Sequence, residues 1–167
     1  MSNPYTEQDY DLWILINTTR HAIFRSRTAE LSEIGLTIGQ SKLLFVVDAL
    51  GKDATITAIG KQFFRVSHTI TSLVTTAVKK GLVRREKDPY NKKIVRIVMT
   101  DAGRAAYEKS KKIDSIKRIM SGLSETRRKQ LIKALEIILH QASKDIHIEE
   151  DELPLSNREL IGVEATA

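Results

Sequence analysis

The chain contains no cysteine. That excludes a disulfide scaffold, thiolate zinc ribbons, cysteine nucleophiles and thiol-based redox sensing. Long apolar runs are missing too. Runs such as Leu43–Val47 reach no more than five residues, whereas a membrane-spanning helix needs ~18 or more. The N-terminal residues have no basic stretch followed by an apolar one, so no secretory signal and no membrane partner are expected. Glycines are scattered, with no Gly-x-Gly-x-x-Gly. Gly60-Lys61 fails as a phosphate loop, because Thr55 stands where the first glycine is needed and Gln62 where Ser or Thr is. No repeat of about 20–50 residues and no low-complexity block occurs. The reading is a soluble, cytoplasmic, single-domain chain with no enzyme constellation.

Metal chemistry has little to work with. The histidines are His21, His68, His140 and His147. His140 and His147 could gather with Asp145 and Glu149 at a helix end, but no His-x3-His or Glu-x-x-His spacing is present. Solvated side chains are the favoured reading, so neither metal nor cofactor is expected. Asn17-Thr18-Thr19 is a formal glycosylation sequon inside a predicted helix and is set aside.

What is present is positive charge. The 167 residues carry a net charge of +6, and the isoelectric point is about 9.5. The charge is unevenly placed. Residues 52–104 hold 12 Lys and Arg against four acids. Residues 145–167 hold one Arg and seven acids. A polyanion partner fits the central segment better than an evenly solvated surface does.

The apolar spacing predicts a helix over 6–33, closed by Gly35. A second follows, with Thr37 as N-cap and Gly51 as its end; apolar residues on both faces imply deep burial. A short helix starts at Thr55 or Thr57, and a turn at Arg65-Val66-Ser67 leads into a helix from about Ser67 to Lys80. Its apolar stripe is Val66, Ile70, Leu73, Val74, Ala77 and Val78, and Gly81 stops it. The period then changes. The runs 82–86 and 93–99, separated by Asp-Pro and Asn-Lys turn chemistry, predict a hairpin with a loop longer than two residues. Thr100 caps a helix expected to reach about Met120. Gly122 breaks the chain, and Ser124 caps a last long helix with a stripe of Leu131, Ile132, Leu135, Ile138, Leu139 and Ala142. The acidic stretch 149–167 reads as a loosely attached tail.

Helix, turn, polar-faced helix and basic hairpin in that order form a winged helix-turn-helix pattern. Such a helix fits the DNA major groove, and a hairpin beside it reaches the backbone or the minor groove. Any amphipathic helix needs a polar face, but acids would serve that need equally well, and none occurs between residues 54 and 85.

Leu36-Thr37, Gln40-Ser-Lys-Leu-Leu44, Phe64-Arg-Val-Ser-His-Thr-Ile-Thr-Ser-Leu-Val74, Lys80-Gly-Leu-Val-Arg-Arg85, Asp88-Pro-Tyr-Asn-Lys-Lys93 and Met99-Thr-Asp-Ala-Gly-Arg104 resemble the MarR family of bacterial transcription regulators. The resemblance runs from about residue 8 to 145. It implies a mainly α fold with a small β wing, in which a winged helix-turn-helix lobe joins a helical dimerisation domain in a triangular homodimer. By this resemblance residues 1–35 form an N-terminal dimerisation helix, 36–104 the DNA-binding lobe, and 105–148 the C-terminal dimerisation helices. The partner would be double-stranded DNA at a pseudo-palindromic operator. The function would be that of a sequence-specific regulator, a repressor, released by a small aromatic or anionic effector as many members are.

Base readout falls to Ser67, His68, Thr69, Thr71, Ser72 and Thr75, with Lys79 at the phosphate end of the helix. Wing and backbone contacts fall to Arg84, Arg85, Lys87, Asn91, Lys92, Lys93 and Arg96. A ligand pocket would draw on Trp13, Ile16, Arg20, Phe24 and Leu44, for which core and dimer packing is the competing reading. The chain departs from the family pattern twice. Asn91-Lys92-Lys93 stands where Asp-Arg is usual, and Lys is more strongly hydrated than Arg. The inner wing contact would then pass to Arg85 or Arg96. Ser72 stands where an Arg often reads guanine. Two other functions use the same fold: a DNA-binding architectural module without effector, and a protein-interaction adaptor.

Overall fold

The computed structural model describes residues 7–63 and 67–147, with the side chains of Ser67 and His68 left out. Arg65 and Val66, where a turn is expected, and the acidic tail lie outside the described residues. In chain order the elements are α1 (Glu7–Ser32), α2 (Ile38–Leu50), a single 3₁₀ turn (Gly51–Asp53), α3 (Ile56–Phe63), α4 (Ser67–Lys79), β1 (Val83–Lys87), β2 (Val95–Met99), α5 (Asp101–Ser110), α6 (Asp114–Met120) and α7 (Glu125–Asp145).

Local chemistry sets most of the ends. Thr37 and Gln40 form a reciprocal capping box at the start of α2. The Thr100 hydroxyl accepts from the Gly103 amide at 3.0 Å, and Thr55, rather than Thr57, accepts from the Ala58 amide at 3.2 Å. Two helices end in the same way. Gly35 and Gly81 both take φ +71°. The amide after each glycine reaches back to a helix carbonyl, Leu36 to Leu31 and Leu82 to Ala77, both at 2.9 Å. Only glycine enters that left-handed region without strain, and the apolar residue beyond it packs back on the helix.

The core belongs to the middle of the chain. Leu31, Leu36, Leu43, Leu44, Val46, Val47, Ile59, Ile70, Val74, Ala77, Leu82, Val83, Ile97 and Tyr107 are buried in one cluster. It is closed by the antiparallel pair of β1 and β2, in register Val83↔Met99 to Lys87↔Val95. The Ile97 amide also donates to the Ala54 carbonyl at 2.7 Å, tying the 3₁₀ turn to the hairpin. Outside the cluster the picture reverses. Leu12, Trp13, Leu15 and Phe24 of α1 and Leu131, Ile132, Leu135 and Ile138 of α7 are exposed. The one buried residue of α7 among those described is Ser143.

One expectation is corrected. The helix starting at residue 101 does not run to Met120; it stops at Ser110 and restarts at Asp114. No glycine or proline lies between Arg104 and Ser121, so the cause is tertiary. The Arg27 guanidinium donates to the Ser110 carbonyl and, at 3.0 Å, to that of Lys112. The Glu30 carboxylate accepts from the amides of Asp114 at 2.8 Å and Ser115 at 3.3 Å, and from the Ser115 hydroxyl. Two side chains of α1 thus occupy polar groups that a continuous helix would have satisfied internally.

Candidate nucleic-acid interface

α4 rests on α3 and β1 through Ile70, Val74 and Ala77. Its opposite face is open. Thr71, Ser72, Thr76 and Lys79 are exposed, and Thr69 and Thr75 half-buried. Not every hydroxyl is equally available. The Thr75 hydroxyl donates to the Thr71 carbonyl at 2.8 Å and accepts from Arg85 Nη2 at 2.8 Å. The Thr76 hydroxyl donates to the Leu73 carbonyl, also at 2.8 Å. The Ser72 hydroxyl makes no such bond among the described residues. The two lysines at the end of α4 differ as well. Lys79 is exposed with no ion pair among the described residues, whereas Lys80 Nζ donates to the Gly35 carbonyl at 3.0 Å and to Gln40 Oε1 at 3.2 Å. Lys80 therefore ties α4 to the turn between α1 and α2.

The hairpin is organised by one carboxylate. Asp88 is buried beneath the loop. Its Oδ1 accepts from the Tyr90 amide at 2.9 Å and the Asn91 amide at 2.7 Å. Its Oδ2 accepts from Arg96 Nε at 2.6 Å and pairs with Nη2 of the same residue. The Asn91 amide and the Arg96 guanidinium hold its carboxyl below the usual carboxylate range, and burial only partly opposes them. Arg96 also reaches Asp53 of the 3₁₀ turn at 3.7 Å. Asn91 uses its side-chain oxygen locally, accepting from the Lys93 amide at 3.1 Å.

What this scaffold presents outward is cationic. Arg85, Lys87, Lys92 and Lys93 are all exposed, and Tyr90 stands 96% exposed at the loop tip. Arg84 pairs with Glu86 at 2.6 Å, both half in solvent; such pairs are worth little and open readily. Sequence reasoning gave Asp88 only as part of a turn motif and gave Tyr90 no role. The Asp-Pro turn signal pointed at the first, and only its burial reveals that it holds the loop together.

The five residues suggested for a ligand pocket have different surroundings. Leu44 is fully enclosed in the core cluster, because α2 is buried over most of its surface. Trp13 is 56% exposed and leans on Tyr10 with ring centroids 5.6 Å apart. Arg20 Nη2 lies 2.9 Å from His21 Nε2 on the same exposed stretch of α1. Ile16 is half-buried and Phe24 exposed. A cleft of about 540 Å³ opens elsewhere, between residues 26–34, at the end of α1 and just beyond it, and residues 109–118, and none of the five lines it. Among the described residues no group of His, Asp and Glu could hold a metal ion, and no helix is long and apolar enough to cross a membrane.

No protein-family model matches the chain, and no curated protein matches it. Solved structures do. AbsC, a MarR family transcriptional regulator from Streptomyces coelicolor, matches with a TM-score of 0.75 at 18% identity, over 86% of this chain and 99% of that one. A mutant MarR from E. coli in complex with operator DNA matches with a TM-score of 0.72 at 22% identity, over 83% and 99%. The organohalide-sensing transcriptional regulator RdhR, bound to 2,4-dichlorophenol, matches with a TM-score of 0.73 at 22% identity, over 84% and 87%. The chain shares the winged-helix fold of these regulators.

Proposed function

We propose that the chain is a MarR-type transcription regulator that binds double-stranded DNA as a homodimer at a pseudo-palindromic site in the cytoplasm. The observation that carries the reading is the 2.8 Å bond from Arg85 on β1 to Thr75 on α4. It makes the open face of α4 and the basic hairpin one continuous surface, and no acid falls between residues 54 and 85 to interrupt it. Thr71 and Ser72, with Ser67, His68 and Thr69 at the start of α4, are the base readers. Lys79, Arg84, Arg85, Lys87, Lys92 and Lys93 are the phosphate and minor-groove cations. Arg96 and Asn91 shape the wing rather than touch DNA. The reading assigns the chain no reaction.

Dimerisation is supported by the uncovered apolar faces of α1 and α7. A helix that buries one residue in its own chain needs another surface to be stable. In this reading residues 1–35 and 105–148 join two copies, and 36–104 form each DNA-binding lobe. A small aromatic or anionic effector would act on that dimer.

The test is selection of genomic fragments by the purified protein, followed by titration of the recovered duplex with and without a panel of aromatic carboxylates. A discrete palindromic sequence supports the reading; recovery of random fragments favours an architectural module. Light scattering should give twice the chain mass of 18.9 kDa, and a single-chain mass at micromolar concentration would overturn the dimer.

A further inference from the structure

The break between α5 and α6 supports an inference that rests on the DNA-binding reading above. α5 belongs to the lobe: Tyr107 enters the lobe core, and the Thr100 amide donates to the Leu82 carbonyl at 3.1 Å. α6 packs on α1 and leads through residues 121–124 into α7. Residues 111–113 are therefore where the chain passes from the lobe to the helices carrying the uncovered apolar faces.

No glycine or proline sets the angle at this passage, and local bonds such as that from the Lys112 amide to the Lys109 carbonyl at 3.2 Å only close α5. The angle is imposed by one turn of α1. Arg27 and Glu30 are bonded to each other at 2.6 Å, with side chains only 14% and 20% exposed. Arg27 holds the carbonyls of Ser110 and Lys112, and Glu30 holds the first amides of α6 together with the Ser115 hydroxyl. Ser115 is itself buried. One side chain thus fixes the outgoing end of α5, the other the incoming end of α6, and the two fix each other.

We propose that Arg27 and Glu30 are a positioning pair for DNA recognition: they set the direction in which each lobe leaves the dimer helices, and so the separation of the two α4 helices. The leverage is large. Ten helical residues span about 15 Å at ~1.5 Å each. A swing of about 13° at the break therefore moves the far end of α5 by about one base-pair step, ~3.4 Å. Neither residue needs to touch DNA. Losing the pair should cost discrimination between half-site spacings, not affinity for DNA in general.

The experiment uses the full chain and its Glu30→Gln, Arg27→Lys and Ser115→Ala variants. Glutamine brings a donor where amides already donate. Lysine cannot fork across two carbonyls. Ser115→Ala keeps the ion pair, loses one hydroxyl bond and is expected to stay folded. Each protein is titrated against the genomically selected duplex, the same half-sites moved one base pair closer or farther, and a random duplex. The unaltered protein should prefer its own spacing by about tenfold. Glu30→Gln and Arg27→Lys should bring that preference to within about twofold, with Ser115→Ala in between, while random-duplex affinity is unchanged. Retained preference in the variants, or equal loss on every duplex, overturns the proposal and leaves the DNA reading standing. Failure of the unaltered protein to bind any duplex overturns both.

A DNA-free arm uses the absence of cysteine. Lys52→Cys, on the exposed 3₁₀ turn, carries one spin label per chain. Its distance distribution across the dimer should be narrow, and should broaden in Glu30→Gln and Arg27→Lys. An unchanged distribution overturns the proposal.

Discussion

Arg96 and Asp88 are bonded to each other twice, through Nε at 2.6 Å and through the ion pair at Nη2, and this turns the guanidinium inward. A cation that braces a loop and a cation that meets a phosphate leave different signatures on substitution. Arg96→Met should weaken binding to selected and random duplexes alike, with little change in salt dependence. A slope shallower by about one unit would place Arg96 on a phosphate instead. Asp88→Asn should loosen the same loop, and amide exchange at Tyr90 and Asn91 should rise by about tenfold or more, corresponding to one lost hydrogen bond of ~1–2 kcal/mol.

The outward cations should show the opposite pattern. Lys92→Ala with Lys93→Ala should lower affinity for both duplexes by similar factors and shallow the salt slope by up to about two units. Competition titration between about 50 and 200 mM salt measures it.

Thr71→Ala and Ser72→Ala should each cost about 1–3 kcal/mol on the selected duplex and little on a random one, since base contacts separate sequences and phosphate contacts do not. Equal losses on both duplexes would show that α4 is not the reading helix. Thr75→Ala should resemble a wing variant more than a reader variant, because its hydroxyl is the seat of Arg85.

Acid should act through Glu30. Burial alone would raise its carboxyl pKa, but the Ser115 hydroxyl, the Arg27 guanidinium and the Ser115 amide outweigh this and bring it from 4.5 down to about 2. The folded protein therefore holds this carboxylate ionised where the unfolded chain would protonate it. The resulting stability is complete above about 4.5 and drains away as the pH falls towards 2. In urea unfolding, the deficit of Glu30→Gln should be largest at neutral pH and close in acid. A deficit constant across the range would contradict the assignment.

Gly103 is irreplaceable for a reason of space. A Cβ built there would sit 1.9 Å from the Leu82 carbonyl oxygen, a backbone atom. Although alanine is the better helix former, Gly103→Ala should destabilise the lobe by about 1–3 kcal/mol. Thermal melting at fixed protein concentration tests it.

The sequence was most legible where a signal and its consequence lie within one turn of each other. Thr37, Thr100 and Ser124 announce helix starts that the backbone confirms, and Gly35, Gly51 and Gly81 mark ends by their positive φ. The alternation around Ile97 and the Asp-Pro turn were enough to place the hairpin. The break after Ser110 was invisible because the groups that cause it stand 83 to 85 residues away. The same limit applied to Arg96, which reads as one more basic residue until Asp88 is found beneath it. For Leu44 the sequence left core packing and a ligand pocket open, and its burial is what an apolar residue on a helix with apolar residues on both faces leads one to expect.

The Arg27 and Glu30 contacts also set an order of assembly. α1 precedes the other described elements in synthesis, yet it contributes only Leu31 to its own chain's core, and its bonding partners are complete only once Ser115 has been made. Residues 36–107 hold nearly all of the buried cluster, so the middle of the chain can consolidate early. α1 can then dock backwards onto residues already folded behind it. On the dimer reading α7 comes last, when a second copy arrives. Domains ordinarily close from the N-terminus as they emerge from the ribosome. Here a 26-residue helix with exposed Leu12, Trp13, Leu15 and Phe24 waits in the open while at least 83 further residues are added. Apolar side chains exposed over such an interval are the surface that chaperones cover and wrong partners meet.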